Sequence, residues 1–90
     1  MIDSFRALRY HRFGIPAEVL QLDELPLPDR LKGSVLVKTD AAAINPADIN
    51  VLEGTYPHRA EPPAIPGIEG CGTVIASDSP LYGTGQRVIA

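Results

Sequence analysis

Over residues 5–12 the apolar side chains Phe5, Ala7, Leu8 and Tyr10 are set among arginines, a pattern that predicts a strand. Gly14-Ile15-Pro16 then predicts a turn. Over residues 19–25, Leu20 and Leu22 alternate with Gln21 and Asp23, the period of a half-buried strand. Pro26 and Pro28 are expected to end it, because proline has no N–H to give to a ladder. Residues 30–33 read as a polar loop. Residues 34–43 carry the clearest alternation, with Val35, Val37, Thr39 and Ala41 on one face and Lys38 and Asp40 on the other.

At Asn45-Pro46-Ala47-Asp48 the period changes. Asn45 suits a helix N-cap, Pro46 suits the first helical position, where a missing N–H is no loss, and Asp48 suits the positive end of the helix dipole. Ile49 and Leu52 then face one side and Gly54 fits the stop, so the spacing predicts one helix of about two turns. Pro57, Pro62, Pro63 and Pro66 make residues 56–66 an extended loop. Residues 71–76 read as a strand of small residues, 77–85 as turns, and 87–90 as the start of another strand. The expected fold class is mostly β with one short helix.

Ninety residues hold one small domain at most, with a thin core. Apolar residues at 44% and charged residues at 21% fit a folded globular chain and exclude disorder. Nine Pro and eight Gly, spread between the apolar stretches, exclude a helical bundle, because each interrupts regular structure. The net charge of -3 leaves no basic excess to hold a phosphate backbone, so no nucleic-acid partner is expected. The longest apolar run, residues 41–44, is too short for a membrane helix, and Asp3, Arg6 and Arg9 interrupt any secretion signal. Cys71 is the only cysteine, so no internal disulfide forms and a reducing cytoplasm is the default compartment.

Taken singly, the chemistry-bearing residues have ordinary explanations. His11, His58 and Cys71 lack local metal-ligand spacing. Gly67-Ile68-Glu69-Gly70-Cys71-Gly72 is rich in glycine, but in a dinucleotide fingerprint counted from Gly70 the third glycine position falls on Ile75, and a strand follows in place of a helix. The segment reads as a tight turn where backbones approach closely. Asn45 is accounted for as a helix cap, Tyr56 as a packing residue of a loop, and Glu69 as a turn carboxylate. No Ser-His-Asp order or carboxylate pair stands out.

Several motifs in order resemble the medium-chain dehydrogenase/reductase superfamily. Residues 7–20 are similar to the first two strands of its quinone-reductase-like branch. Ala42-Ala43-Ile44-Asn45-Pro46-Ala47-Asp48 matches that branch's A-x-x-N-P-x-D, and Pro66-Gly67-Ile68-Glu69-Gly70-Cys71-Gly72-Thr73-Val74 matches its P-G-x-E-x-x-G-x-V. Gly85-Gln86-Arg87-Val88 resembles the following G-D-R-V, with Gln86 in place of aspartate. Asn45 and Ile68 stand where the zinc-dependent alcohol dehydrogenases of the superfamily carry a cysteine and a histidine on the catalytic zinc. Neither can replace a thiolate or an imidazole, so the chain resembles the zinc-independent reductases and no metal is expected.

Asn45-Pro46-Ala47-Asp48-Ile49-Asn50, followed by Glu53-Gly54-Thr55-Tyr56-Pro57, is most similar to the 2-enoyl thioester reductases. That resemblance implies reduction of an enoyl-CoA or enoyl-acyl-carrier thioester by NADPH, with Tyr56 in the active site and Asn45 near the cofactor. The tyrosine O–H would bond the developing enolate or give a proton to the α-carbon. Quinone reductases share N-P-x-D, so a quinone substrate is the alternative. The resemblance also implies that residues 1–90 are the N-terminal part of a GroES-like, alcohol dehydrogenase-like catalytic domain. The fold would be an incomplete, partly open β-barrel, and the Rossmann domain that carries NADPH would be absent from this chain. Alone, the chain is expected to be inactive and to bind no NADPH. A third reading is a non-catalytic remnant acting in binding or self-association, and a homodimer through unpaired strand edges at residues 87–90 is expected.

Overall fold

A computed structural model describes residues 3–29 and 32–90, so residues 30 and 31 of the expected polar loop lie outside the described residues. The elements run β1 (Ser4–Tyr10), α1 (Pro16–Val19), β2 (Leu20–Pro26), β3 (Val35–Ala42), α2 (Pro46–Glu53), β4 (Gly70–Ser77) and β5 (Arg87–Ile89). They fall into two compact units. The first comprises Met1–Leu27 and Ile44–Ile68, the second Pro28–Ala43 and Glu69–Ala90.

In the first unit β1 and β2 form an unbroken antiparallel ladder from Ser4 opposite Pro26 to Tyr10 opposite Leu20. The alternation of apolar and polar residues predicts both strands. It does not reveal α1, a single helical turn in which the Glu18 and Val19 N–H groups donate to the Ile15 carbonyl at 2.9 and 3.0 Å. Pro16 is pre-set for the first helical position, and the turn carries Val19 into the core. The core is Tyr10, Val19 and Leu52, with Phe13, Leu20, Val51 and Ala64 packed against it. Burying a side chain such as Leu52 stabilises by about 1.5–3 kcal/mol.

α2 starts and stops where its end signals predict. Asn45 is the N-cap, Pro46 opens the helix, and Gly54 takes the left-handed conformation with φ at 82°. Of the two apolar residues expected on one side, Leu52 is buried but Ile49 is 37% exposed, and Val51 takes the second place at the core. The proline-rich loop after α2 returns to β1, where Tyr10 and Ala64 exchange N–H···O bonds of 2.9 and 3.1 Å.

The second unit is an antiparallel sheet in the order β3-β4-β5, so both sheets are open. The expected alternation along β3 is not seen: Val35, Leu36 and Val37 are half-buried and residues 38–42 are exposed. The register shifts between Leu36 and Val37, which leaves Ile75 of β4 opposite no residue, and again between Thr39 and Ala41, which leaves Asp40 unpaired in the ladder. Each extra residue is a bulge that shifts the in-and-out order of its own strand, Ile75 in β4 and Asp40 in β3. The glycine-rich stretch is a close approach of backbones, as expected. A Cβ on Gly72 would lie 2.1 Å from the Lys38 carbonyl oxygen. Val74 is fully buried, and β5 pairs with β4 through Cys71–Ile89, Gly72–Val88 and Thr73–Arg87. The Arg87 guanidinium donates to Asp40 and to Thr73 Oγ1. Among the described residues no helix is long and apolar enough to cross a membrane.

Candidate functional site

The two residues singled out in the sequence, Asn45 and Tyr56, both belong to the first unit, at opposite ends of α2. The eight residues of that helix rise about 12 Å, so the two residues mark its ends and do not form one cluster. At the N-terminal end Asn45 and Asp48 form a capping box, in which the Asn45 N–H donates to Asp48 Oδ2 at 2.7 Å. Asp48 is 6% exposed, and its other oxygen, Oδ1, is buried without a hydrogen-bond partner among the described residues. The geometry accounts for Asn45 as a cap.

At the C-terminal end the chain leaves the helix through Gly54, and the Asn50 carbonyl accepts from the Thr55 N–H at 2.9 Å and the Tyr56 N–H at 3.3 Å. Tyr56 is half-buried. Among the described residues no side chain or main-chain group is hydrogen-bonded to its hydroxyl. A fully buried phenol finds a partner for its O–H within the protein. Tyr10 does that: it is 1% exposed and its hydroxyl donates to the Ala60 carbonyl at 2.8 Å. Burial, and then the charge of Glu61, raise the Tyr10 pKa, with Arg59 opposing, so the phenol stays protonated and keeps that bond. The two tyrosines therefore differ in kind. One is spent inside the unit, and the other has its hydroxyl available.

Three further residues shape this end of the site. Arg59 Nη1 donates to the Tyr56 carbonyl at 2.8 Å, and its guanidinium lies 5.2 Å from the Phe13 ring centroid. The Phe13 ring in turn lies 5.7 Å from that of Tyr10. None of the three is visible as a site residue in the sequence. Tyr10 looks like any apolar strand residue, and the loop holding Arg59 has no period from which a contact could be inferred.

Elsewhere, Arg9 Nε and His11 Nε2 both bond Asp23 Oδ2, at 2.8 and 2.7 Å, and these bonds, that of His11 first, hold the Asp23 carboxyl below its usual range. Among the described residues no three His, Cys, Asp or Glu side chains converge to hold a metal ion. Ile68, at the second zinc-ligand position of the resemblance, is 56% exposed. The second unit has an open pocket of about 380 Å³, walled by Ala41, Ala42, Ala43, Gly70, Cys71 and Ile89, with Glu69 also lining it.

Residues 31–90 match the family described as alcohol dehydrogenase GroES-like domain. The chain is 45% identical over 75 residues to the mitochondrial enoyl-[acyl-carrier-protein] reductase of Caenorhabditis elegans, an alignment covering 82% of this chain and 22% of that protein. It thus spans about a fifth of the length of the curated relatives it matches. A solved structure of Etr1p with NADP and crotonyl-CoA superposes with a TM-score of 0.84 at 31% identity, over 99% of this chain and 28% of that one. The quinone oxidoreductase of Coxiella burnetii superposes with a TM-score of 0.80 at 28% identity, over 96% of this chain and 29% of that one.

Proposed function

We propose a function from the premise that this chain belongs to the alcohol dehydrogenase GroES-like domain family, in its zinc-independent, quinone oxidoreductase-like branch. It supplies the substrate side of an NADPH-dependent reductase of 2-enoyl thioesters. Residues 1–90 are then the N-terminal part of a GroES-like catalytic domain, and the cofactor is held by a Rossmann domain in a further stretch of polypeptide. The observation that carries this reading is the 45% identity, over 82% of this chain, to the enoyl-[acyl-carrier-protein] reductase of Caenorhabditis elegans, with Tyr56 half-buried at the end of α2.

The described residues do not fit a dinucleotide by themselves. The glycine-rich segment runs into β4 and not into a helix, so it offers no helix N-terminus for a pyrophosphate. Asn45 is assigned beside the cofactor, with its main-chain N–H already committed to Asp48. NADPH, when bound to the complete enzyme, supplies the hydride. Tyr56 does the part that this chain can do. As the conjugated double bond is reduced, negative charge builds on the thioester oxygen. A phenol O–H aimed at that oxygen stabilises the charge, or gives its proton to the α-carbon.

Replacing Tyr56 with Phe in the complete enzyme keeps the ring and removes the hydroxyl. With crotonyl-CoA and NADPH, kcat is expected to fall by about 10- to 1,000-fold while KM moves much less. The same assay on the 90-residue chain alone is expected to give no turnover. An unchanged kcat in the Tyr56→Phe enzyme would favour the second reading, a quinone reductase, which the Coxiella structure supports. The cytoplasm expected from a single cysteine stands as part of this proposal, beside the mitochondrial location in the relatives' names.

A further inference from the structure

We infer that Arg59 is a positioning residue, whose guanidinium ties the main chain of Tyr56 to the aromatic pair Phe13–Tyr10. The inference rests on the reading of Tyr56 as the hydroxyl that meets the substrate. The loop that carries Tyr56 is anchored at two places by main-chain groups. At its start Thr55 and Tyr56 hang from the Asn50 carbonyl. Further on, Ala60 accepts from the Tyr10 hydroxyl, and Ala64 pairs with the Tyr10 main chain. Residues 57–59 lie between these anchors, and among the described residues the Arg59 side chain makes the one hydrogen bond that they form.

That bond is directed back at Tyr56 itself, at 2.8 Å, while the same guanidinium rests 5.2 Å from the Phe13 ring centroid. Phe13 is a firm base for it. Its ring packs with Tyr10, the neighbouring Gly14 N–H donates to the Leu52 carbonyl at 2.8 Å, and a Cβ on Gly54 would stand 3.1 Å from Phe13 Cβ and Cγ. Phe13 therefore abuts both the helix stop where the loop begins and the arginine that folds the loop back. Arg suits this place because a planar cation can lie on a ring face and still donate in its own plane. A phenol that must reach a reacting oxygen depends on such support, because an error of about 1 Å in placement lowers a rate by up to about 100-fold.

Two substitutions separate this role from a general effect on folding. Arg59→Met keeps the aliphatic stem and removes the cation, and Arg59→Lys keeps a cation with one donor for the carbonyl. In the 90-residue chain, amide order parameters from NMR relaxation are expected to drop at Tyr56 and His58 in Arg59→Met, with Val19 and Leu52 unchanged, and to recover only in part in Arg59→Lys. Unchanged order at Tyr56 in Arg59→Met would overturn the tether. In the complete enzyme with NADPH and crotonyl-CoA, Arg59→Met is expected to lower kcat about 10- to 100-fold with little change in KM. In a Tyr56→Phe background it is expected to add almost nothing. An equal loss in that background would overturn the claim that Arg59 acts through Tyr56. A Tyr56→Phe enzyme with full kcat, alongside a loosened loop in Arg59→Met, would remove the substrate role of Tyr56 and leave the tether standing.

Discussion

The first unit gathers its buried residues at one point, whereas the second spreads its contacts along a sheet. Tyr10, Val19 and Leu52 come from β1, α1 and α2, so two neighbouring elements and a third distant in sequence lock on one cluster. In the second unit Val74 is the fully buried apolar side chain, Ile89 is 84% exposed, and small residues wall an open pocket. The difference bears on function. The proposed role of Tyr56 needs a held loop, and in the first unit its main chain is bonded to the Asn50 carbonyl and to the Arg59 guanidinium. A sheet of Ala, Gly and Cys instead provides a surface, because small side chains leave space that their own unit does not fill.

The largest effect that would break this comparison is expected from Leu52→Ala. Removing the side chain from a three-residue cluster is expected to cost about 2–5 kcal/mol in urea unfolding. Hydrogen exchange should quicken at the Tyr10 and Val19 amides and stay slow at Val74. Equal loss at Val74 would mean that the two units open as one. The converse change is Gly72→Ala, whose Cβ would collide with the Lys38 carbonyl. It is expected to cost about 1–3 kcal/mol or more, with protection lost between β3 and β4 and kept between β1 and β2. A stability equal to that of the unmodified chain would show that the strands can part at little cost.

The open side of the second unit leads to a smaller effect. Among the described residues β5 pairs only with β4, and its outer edge carries the exposed Ile89. An unpaired apolar edge is a template for a second copy, so the chain is expected to sediment as a dimer at micromolar concentration and Ile89→Lys as a monomer. A monomeric unmodified chain would remove this idea.

The smallest effect lies on the hairpin of the first unit. His11 and Arg9 bonded to Asp23 depress its folded-state pKa below that of the unfolded chain, so its contribution is present above the unfolded value and fades as pH falls through the folded one. The melting-temperature gap between the unmodified chain and Asp23→Asn is therefore expected above about pH 4 and should shrink on further acidification. A gap independent of pH would show that the carboxylate charge is not what matters.

The local signals in the sequence reach far. Asn45, Pro46, Asp48 and Gly54 determine α2, because capping and left-handed backbone are decided by the residues that bear them. The leucines of β2 and the valines of β3 mark their strands in the sequence, although Leu22 is 62% exposed and burial along β3 does not alternate. The expectation of no metal comes from the resemblance, which puts Asn45 and Ile68 where zinc-dependent relatives carry a cysteine and a histidine, and from the chemistry of those two side chains.

Tertiary structure decided the rest. Helical period cannot show α1, which is four residues long and forms where Val19 is drawn beneath Tyr10 and Leu52. The bulges at Ile75 and Asp40 arise from pairing between strands, and a single strand's alternation carries no record of its partner's register. The different fates of the two tyrosines belong here as well. Both are single aromatic residues in the sequence, and which hydroxyl is consumed depends on whether a carbonyl fifty positions away, that of Ala60, comes to meet it. Arg59 over Phe13 is of the same kind: the contact links a loop without periodicity to the bend between β1 and α1, and only the folded chain brings the two together.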